Sequence, residues 1–238
     1  MDIAITKNES IIILTGAGIS QPSGLKTFRD NNGLWENHNV YEVASPQGFE
    51  NNPALVWDFY NKRRQQLRHC EPNEAHKAIT ALQKHFPETT VITQNVDNLH
   101  EKAGNTNIIH MHGTLENIKC TECTYARTDL EPIEGIPHCP RCSGVLRPDV
   151  VWFGEIPYYM GRIHKLLQAA SLFIAIGTSG TVYPAAGFID IARYHGAYII
   201  YINKEPVRNP SINHFVRGSA EIIVPEVVDE IIANSQAD

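Results

Sequence analysis

Five short blocks of aliphatic and β-branched residues punctuate the chain: 10–15, 89–93, 172–176, 198–202 and 221–224. Their length suits strands better than helices, and each reads as a nearly continuous apolar run. Such runs belong to strands buried on both faces, as in a parallel sheet covered by helices. Helical patterns lie between them. Ala75, Ile79, Leu82 and Phe86 share one face of 74–86, and Ile163, Leu166 and Leu167 share one face of 159–170. An alanine-rich segment, 184–195, opens at Pro184. The fold class is therefore α/β, a Rossmann-like parallel sheet with helices on both faces. The first four blocks end in small or polar residues: Gly16-Ala17-Gly18, Gln94-Asn95, Gly177-Thr178-Ser179 and Asn203. Ligands of open α/β sheets sit beyond the carboxyl ends of the strands, so these ends predict the site.

Residues 116–148 break the pattern. They hold Cys120, Cys123, Cys139 and Cys142 as two CxxC pairs separated by fifteen residues. This spacing suits a four-cysteine tetrahedral zinc site, and the segment reads as a small zinc-binding insert. Four thiolates fill the coordination sphere, so one structural zinc is expected, with no open position for water. The fifth cysteine, Cys70, reads as a plain buried or surface thiol. The chain of 238 residues then divides into a Rossmann-like unit (about 1–30, 74–115 and 149–238), a cofactor-loop and helical insert (about 31–73) and the zinc insert (about 116–148).

The net charge of −6 and pI near 6.0 argue against a duplex-binding protein, which needs a basic face for phosphates. No segment reaches the roughly 18 apolar residues that span a bilayer. Met1 to Ser10 is short and polar, unlike a secretory or transit peptide, so a cytoplasmic setting is expected. Oligomeric state stays open.

Gly16-Ala17-Gly18-Ile19-Ser20 follows the first strand directly. Two glycines there let backbone N–H groups approach a pyrophosphate. The full GxGxxG is absent, because position 21 is Gln, so an ordinary tight turn remains an alternative. The next stretch, with Lys26, Phe28, Arg29 and Asp30, lacks helical period and reads as a long functional loop.

Taken together and in order, Gly16-Ala-Gly-Ile-Ser20, Thr93-Gln-Asn-Val-Asp97, His112-Gly113 and the four cysteines resemble the sirtuins, the NAD-dependent protein lysine deacylases. Thr27-Phe28-Arg29, Gly33-Leu34-Trp35, Leu146-Arg147-Pro148, Val151-Trp152-Phe153-Gly154-Glu155 and Val182-Tyr183-Pro184-Ala185 extend the match from about Ile11 to Pro225. Two departures are mild: Val96 stands where isoleucine is frequent, and Pro22 where glutamate is. The resemblance implies NAD as co-substrate, acylated-lysine proteins or peptides as partners, and nicotinamide, O-acyl-ADP-ribose and free lysine as products. It implies His112 as the base that activates a ribose hydroxyl, a task suited to a group titrating near neutrality. His110, two residues away on the same face of a strand, keeps a structural role. Asn95 and Asp97 are implied at the nicotinamide end and Gln94 at the ribose. Gly177, Thr178, Ser179, Asn203, Lys204, Glu205 and Ala220 are implied along the adenosine half. Gly16, Ala17, Gly18, Ser20, Phe28, Arg29 and Trp35 complete the cofactor set. Val151 to Glu155, with Tyr183, is implied to take the substrate peptide as an added strand; the alternative is core packing of an edge strand.

Asn52-Pro53 opens a helix with a cap and a first-turn proline. Val56, Phe59, Tyr60, Arg63 and Leu67 form one stripe along it. A guanidinium inside an apolar stripe calls for an anion, and Tyr60 with Arg63 can clamp a carboxylate. A snorkelling side chain or an internal ion pair would place Arg63 equally well. Lys62 and Arg64 read as a solvated face. Tyr60-Asn-Lys-Arg63 resembles the Tyr-x-x-Arg of the sirtuins that remove succinyl, malonyl and glutaryl groups, which implies desuccinylation beside deacetylation.

Three rivals stand against this reading. A hydride-transferring dehydrogenase would usually carry the complete GxGxxG. A zinc-ribbon module sensing NAD would show a basic insert, whereas 116–148 has four Lys or Arg against five Asp or Glu. Protein ADP-ribosylation is a rival within the resemblance itself.

Overall fold

The computed structural model describes residues 5–25, 34–35, 38–129 and 131–235. Its strands are β1 (Ile11–Thr15), β2 (Leu34–Trp35), β3 (His38–Asn39), β4 (Thr90–Thr93), β5 (Ile108–His110), β6 (Gly113–Cys120), β7 (Ala126–Thr128), β8 (Leu146–Val150), β9 (Leu172–Ile176), β10 (Tyr198–Asn203) and β11 (His214–Arg217). Its helices are α1 (Val40–Val43), α2 (Pro46–Asn51), α3 (Pro53–Arg68), α4 (Glu74–His85), α5 (Leu99–Lys102), α6 (Met160–Ala169), α7 (Phe188–Tyr194) and α8 (Ala220–Ala233).

Six parallel strands form the main sheet, in the order β11-β10-β9-β1-β4-β5. All five residues of β1 are buried. Alternate residues point to opposite faces of a strand. Ile11 and Ile13 accordingly join the core beneath α4 and α8, while Ile12 and Leu14 join the core beneath α6 and α7. From β1 the chain builds outward on one side through β4 and β5, then crosses back to β9 and builds the other side. The crevice between β1 and β9 is thus the switch point where an open α/β sheet accepts a ligand.

A third core lies outside this sheet. Helices α1 to α3 pack against the antiparallel sheet β7-β6-β8, burying Trp57, Phe59, Tyr60, Leu115, Ile118, Leu146 and Trp152 together. Asn52 caps α3 by accepting from Leu55 N, and the stripe Val56, Phe59, Tyr60, Arg63 and Leu67 is buried as its spacing predicts.

Two sequence expectations need correction here. Residues 221–224 form no strand but the start of α8, whose buried positions Ala220, Val224, Val227, Val228 and Ile231 follow a helical period longer than a four-residue block reveals. Pro225 sits inside that helix and removes one backbone hydrogen bond without ending it. The strand in this region is β11, a half-buried edge whose apolar signal is weak. Arg64 is not solvated. Lys62 is exposed beside Asp58, but Arg64 is only 5% exposed, with Nη2 3.8 Å from Asp129 Oδ1. The reason is that the excursion after β7 lies against α3. There the Asn61 amide donates to the Ile133 carbonyl at 2.6 Å and accepts from Ile133 N at 3.0 Å.

At the switch point two turns touch through backbone alone. Gly18 N donates to Gly177 O at 2.9 Å, and Gly177 has φ +60°. A Cβ on Gly177 would stand 2.6 Å from Ile19 N, and one on Gly18 would stand 2.7 Å from Gly177 Cα. Gly177→Ala therefore combines overpacking with a left-handed non-glycine residue and is expected to destabilise the fold by roughly 3 kcal/mol. Denaturant melts of the two proteins check this; equal midpoints would contradict the contact.

Candidate active site

One cavity of about 620 Å³ opens at the carboxyl ends of β1, β4, β9 and β10 and continues under α3 to the segment after β8. Its wall includes Gly16, Ala17, Gly18 and Ser20 after β1; Gln94, Asn95 and Asp97 after β4; and His112 after β5. Gly177, Thr178 and Ser179 follow from β9, then Asn203, Lys204 and Glu205 from β10, with Ala220 of α8. Tyr60 and Arg63 of α3, Val151 to Glu155, and Tyr183 line the far end. Apart from Trp35, every cofactor, catalytic or substrate residue expected at the site and lying among those described is on this one wall. Phe28 and Arg29 lie outside the described residues. Trp35 is placed only as a position in β2, paired with His38. Gln21, Leu25, Ala44, Val96, Leu115, Val150, Pro157, Thr181, Val182, Ile202 and Gly218 also line the cavity. Most are apolar or small, and nothing in their local sequence separates a wall position from ordinary packing.

The loop after β4 is fixed before any ligand arrives. Gln94 N extends the sheet by donating to Thr15 O, and Asn95 N donates to Thr93 Oγ1. The buried Asn95 amide donates to Gly16 O and to Ser20 Oγ, each at 3.1 Å. Ser20 Oγ donates in turn to Asp97 Oδ2 at 2.9 Å. Across the crevice, Gln94 Nε2 donates to Thr178 Oγ1 at 3.0 Å, while Tyr201 Oη and Asn203 Nδ2 both donate to Thr178 O. Bare glycine backbone beside this run of amides, hydroxyls and a carboxylate suits a dinucleotide, whose phosphates need N–H groups and whose riboses and carboxamide need paired donors and acceptors.

The two histidines part company. The chain turns at Met111 and His112, so the alternation that would put His110 and His112 on one face stops at the end of β5. This corrects the sequence expectation. His110 faces a different cavity, shared with Ile108, Gly113 and Arg162, and its Nε2 lies 2.7 Å from Glu101 Oε1. Burial pulls the His110 pKa down, but the hydrogen bond and charge of Glu101 outweigh it and hold the pKa above the usual imidazole value. His112 faces the main cavity. Its Nδ1 lies 3.0 Å from Gln94 O, and a carbonyl only accepts, so Nδ1 carries the proton and Nε2 keeps its lone pair. Burial, partly opposed by that hydrogen bond, holds the His112 pKa below the usual value. Gly113 must follow: its φ is +76°, and a Cβ would stand 2.0 Å from Asp149 O.

At the far end the phenol of Tyr60 is fully buried, and burial pushes its pKa up to about 12 despite the Trp152 hydrogen bond and the Arg63 charge. Arg63 stands beside it, 8% exposed, its Cζ 5.9 Å from the Phe59 ring centroid. Residues 151–155 are a turn after β8 rather than an edge strand. Val151 N donates to His112 O and Phe153 N to Ala44 O, which ties this turn to the segment after β5 and to the end of α1. Trp152 is buried, whereas Phe153 and Tyr183 are exposed at the cavity mouth.

The four paired cysteines converge, their sulfurs all within 4.8 Å of one another. The separations are 3.5 Å for Cys120–Cys142 and Cys123–Cys142, and 3.6 Å for Cys123–Cys139. A tetrahedral zinc with bonds of about 2.3 Å sets its sulfurs about 3.8 Å apart, so the residues fit the ion. Glu122 N and Arg141 N donate to Cys120 Sγ and Cys139 Sγ, which favours thiolates. Cys70 lies elsewhere, buried at the end of α3. Metal analysis is expected to return about one zinc per chain, and Cys120→Ala to lose it together with thermal stability. A Cys120→Ala protein with unchanged metal content and melting temperature would refute a four-thiolate site.

Comparison with known proteins agrees with this geometry. A family model described as the Sir2 family matches residues 16–184. An NAD-dependent protein deacylase of Vibrio vulnificus (strain YJ016) is 47% identical over 96% of this chain and 96% of its own. The NAD-dependent protein deacylase of Escherichia coli (strain K12) is also 47% identical, over 95% of this chain and 84% of its own. Among solved structures, a Sir2 homologue in complex with NAD superposes with a TM-score of 0.87 at 37% identity, covering 93% of this chain and 89% of the other. A Sir2 enzyme with a p53 peptide and NAD superposes with a TM-score of 0.82 at 29% identity, covering 93% and 92%. With the family model spanning well over half of its length, the chain belongs to the Sir2 family.

Proposed function

We propose that this chain uses NAD to remove acyl groups from protein lysines, acetyl and acidic acyl groups such as succinyl and malonyl alike, yielding nicotinamide, O-acyl-ADP-ribose and free lysine. The observation that carries the reading is the continuity of one cavity, which joins the glycine cradle, His112 and the Tyr60–Arg63 pair. The relatives named as NAD-dependent protein deacylases support the activity. A cytoplasmic setting belongs to the same reading; no described helix is long and apolar enough to cross a membrane.

Bound across the strand ends, the dinucleotide supplies an electrophilic ribose carbon with nicotinamide as leaving group. Gly16 to Ser20 and Gly177 to Ser179 hold its phosphates and sugars, with Asn203, Lys204, Glu205 and Ala220 at the adenosine side. Asn95 and Asp97, already braced by Ser20, hold the carboxamide end. Val151 to Glu155 and Tyr183 receive the peptide. His112 Nε2 takes a proton from a ribose hydroxyl, and the Gln94 carbonyl then stabilises the imidazolium through the Nδ1–H bond it already accepts.

This role has a sign in pH. A depressed pKa keeps His112 neutral and basic at pH 6.5 and above, and activity is lost as pH falls through that lowered value. The acid limb of kcat/KM is therefore expected below the usual imidazole value of about 6.5. His112→Ala is expected to lose on the order of 10²–10⁴-fold in kcat while staying folded. An acid limb unchanged in a residually active His112→Ala protein would assign it to another group.

The acyl clamp makes a separate prediction. Arg63→Met keeps an extended apolar stem and removes the charge. Losing a charged hydrogen bond costs about 1.5–3 kcal/mol, or roughly tenfold to hundredfold. Succinyl-peptide kcat/KM is expected to fall by that factor, with acetyl-peptide kcat/KM little changed. Equal losses for both peptides would mean that Arg63 serves the fold or the cofactor.

A further inference from the structure

Tyr60 has a partner that the clamp alone does not explain. Trp152 Nε1 lies 2.9 Å from Tyr60 Oη, both groups buried and contributed by segments 92 residues apart in sequence. An indole N–H can only donate, so the Tyr60 oxygen accepts in this bond. Among the described residues this is the hydrogen bond of the Tyr60 hydroxyl. Its own proton is thereby directed away from Trp152, on the side chain that lines the cavity with Arg63.

The indole is itself held rigidly. Arg147 Cζ stacks 3.4 Å from the centroid of the Trp152 ring. The same guanidinium makes two hydrogen bonds to the Glu155 carboxylate, at 2.7 and 2.9 Å, and Glu155 Oε2 accepts from Trp152 N at 2.8 Å. Phe49 closes the remaining side at 5.3 Å between centroids. A cation over the ring face draws electron density from the indole and strengthens its N–H as a donor. The array Glu155–Arg147–Trp152–Tyr60 thus ends on one hydroxyl.

We propose that Trp152 is a specificity-positioning residue: its indole N–H occupies the acceptor side of Tyr60 so that the phenol presents its proton, beside Arg63, to the distal carboxylate of an acidic acyl-lysine. The inference rests on the acyl-clamp reading above. An acetyl group offers no acceptor at that depth, so the arrangement favours succinyl and malonyl groups without helping the smaller one.

The test uses the full chain at saturating NAD with acetyl and succinyl peptides of one sequence. The readout is the ratio of their kcat/KM values. Trp152→Phe is expected to lower the succinyl-to-acetyl ratio about threefold to tenfold, the scale of one neutral hydrogen bond, chiefly through the succinyl KM. In a Tyr60→Phe background the same substitution should change the ratio by less than about 1.5-fold, because the acceptor is gone. Benzothienylalanine at position 152, which keeps the bicycle and replaces N–H by sulfur, should reproduce the shift even if Trp152→Phe folds poorly. Equal effects of Trp152→Phe in both backgrounds, or an isostere that keeps the wild-type ratio, would reduce Trp152 to packing and overturn the proposal. Arg63→Met separates the two readings. If it leaves the ratio unchanged, the clamp fails and this inference fails with it. If it collapses the ratio while position 152 does not matter, the clamp stands and Trp152 is refuted.

Discussion

The backbone of Gly18 meets the backbone of Gly177 with no side chain between them, and the site depends on that contact. The 2.9 Å bond from Gly18 N to Gly177 O ties the first βα turn to the turn after β9 across the switch point. Gln94 then reaches Thr178, and Tyr201 and Asn203 hold the Thr178 carbonyl, so four strand ends share one frame. The glycines therefore do two things. They leave backbone bare toward the cavity, and they let two halves of the sheet close upon each other. Only the first role is suggested by the Gly-x-Gly pattern, since the second requires knowing which turns become neighbours.

Consecutive carbonyls of the β4 loop are each claimed by an imidazole. His110 Nδ1 approaches Asn95 O at 3.2 Å, and His112 Nδ1 approaches Gln94 O at 3.0 Å. What differs is the other nitrogen. In His110 it faces Glu101 Oε1 at 2.7 Å, which raises the pKa over the opposing effect of burial. In His112 it faces the cavity, where burial favours the neutral ring. Two histidines two residues apart are thus driven in opposite directions by their surroundings, and only the second turns a ring nitrogen toward the main cavity.

Much of this was legible in the sequence because the features were local. The four core strands β1, β4, β9 and β10 are continuous apolar runs, the cysteine pairs have ligand spacing, and the stripe along α3 repeats at helical intervals. What misled was either too short a local signal or a non-local contact. The three residues of β5 and the half-buried β11 carry too little apolar signal for a run to be noticed. The block 221–224 looks like a strand until Val227, Val228 and Ile231 are counted with it. Arg64 looks solvated because its cover, the segment after β7, comes some sixty-five residues later in the chain. The tie between Trp152 and Tyr60 is hidden for the same reason: neither residue's neighbours in sequence announce the other.

The two ends of the cavity rest on different cores. The end at the glycine turns is carried by the parallel sheet, whose faces are filled from α4 and α8 on one side and α6 and α7 on the other. The end lined by Tyr60 and Arg63 is carried by α3, which is held on two sides. Its inner stripe shares a core with β6, β8 and the sulfurs of Cys120 and Cys139, and Trp57 Nε1 donates to Leu146 O beside them. Its outer side receives the insert through Asn61 and Arg64. The four-cysteine module lies outside the main cavity, yet it supports the helix that carries Tyr60 and Arg63. Under the proposed function, acyl selectivity would in this sense be built on the four-cysteine module, whereas the strand ends that carry His112 and the glycine turns are built on the sheet.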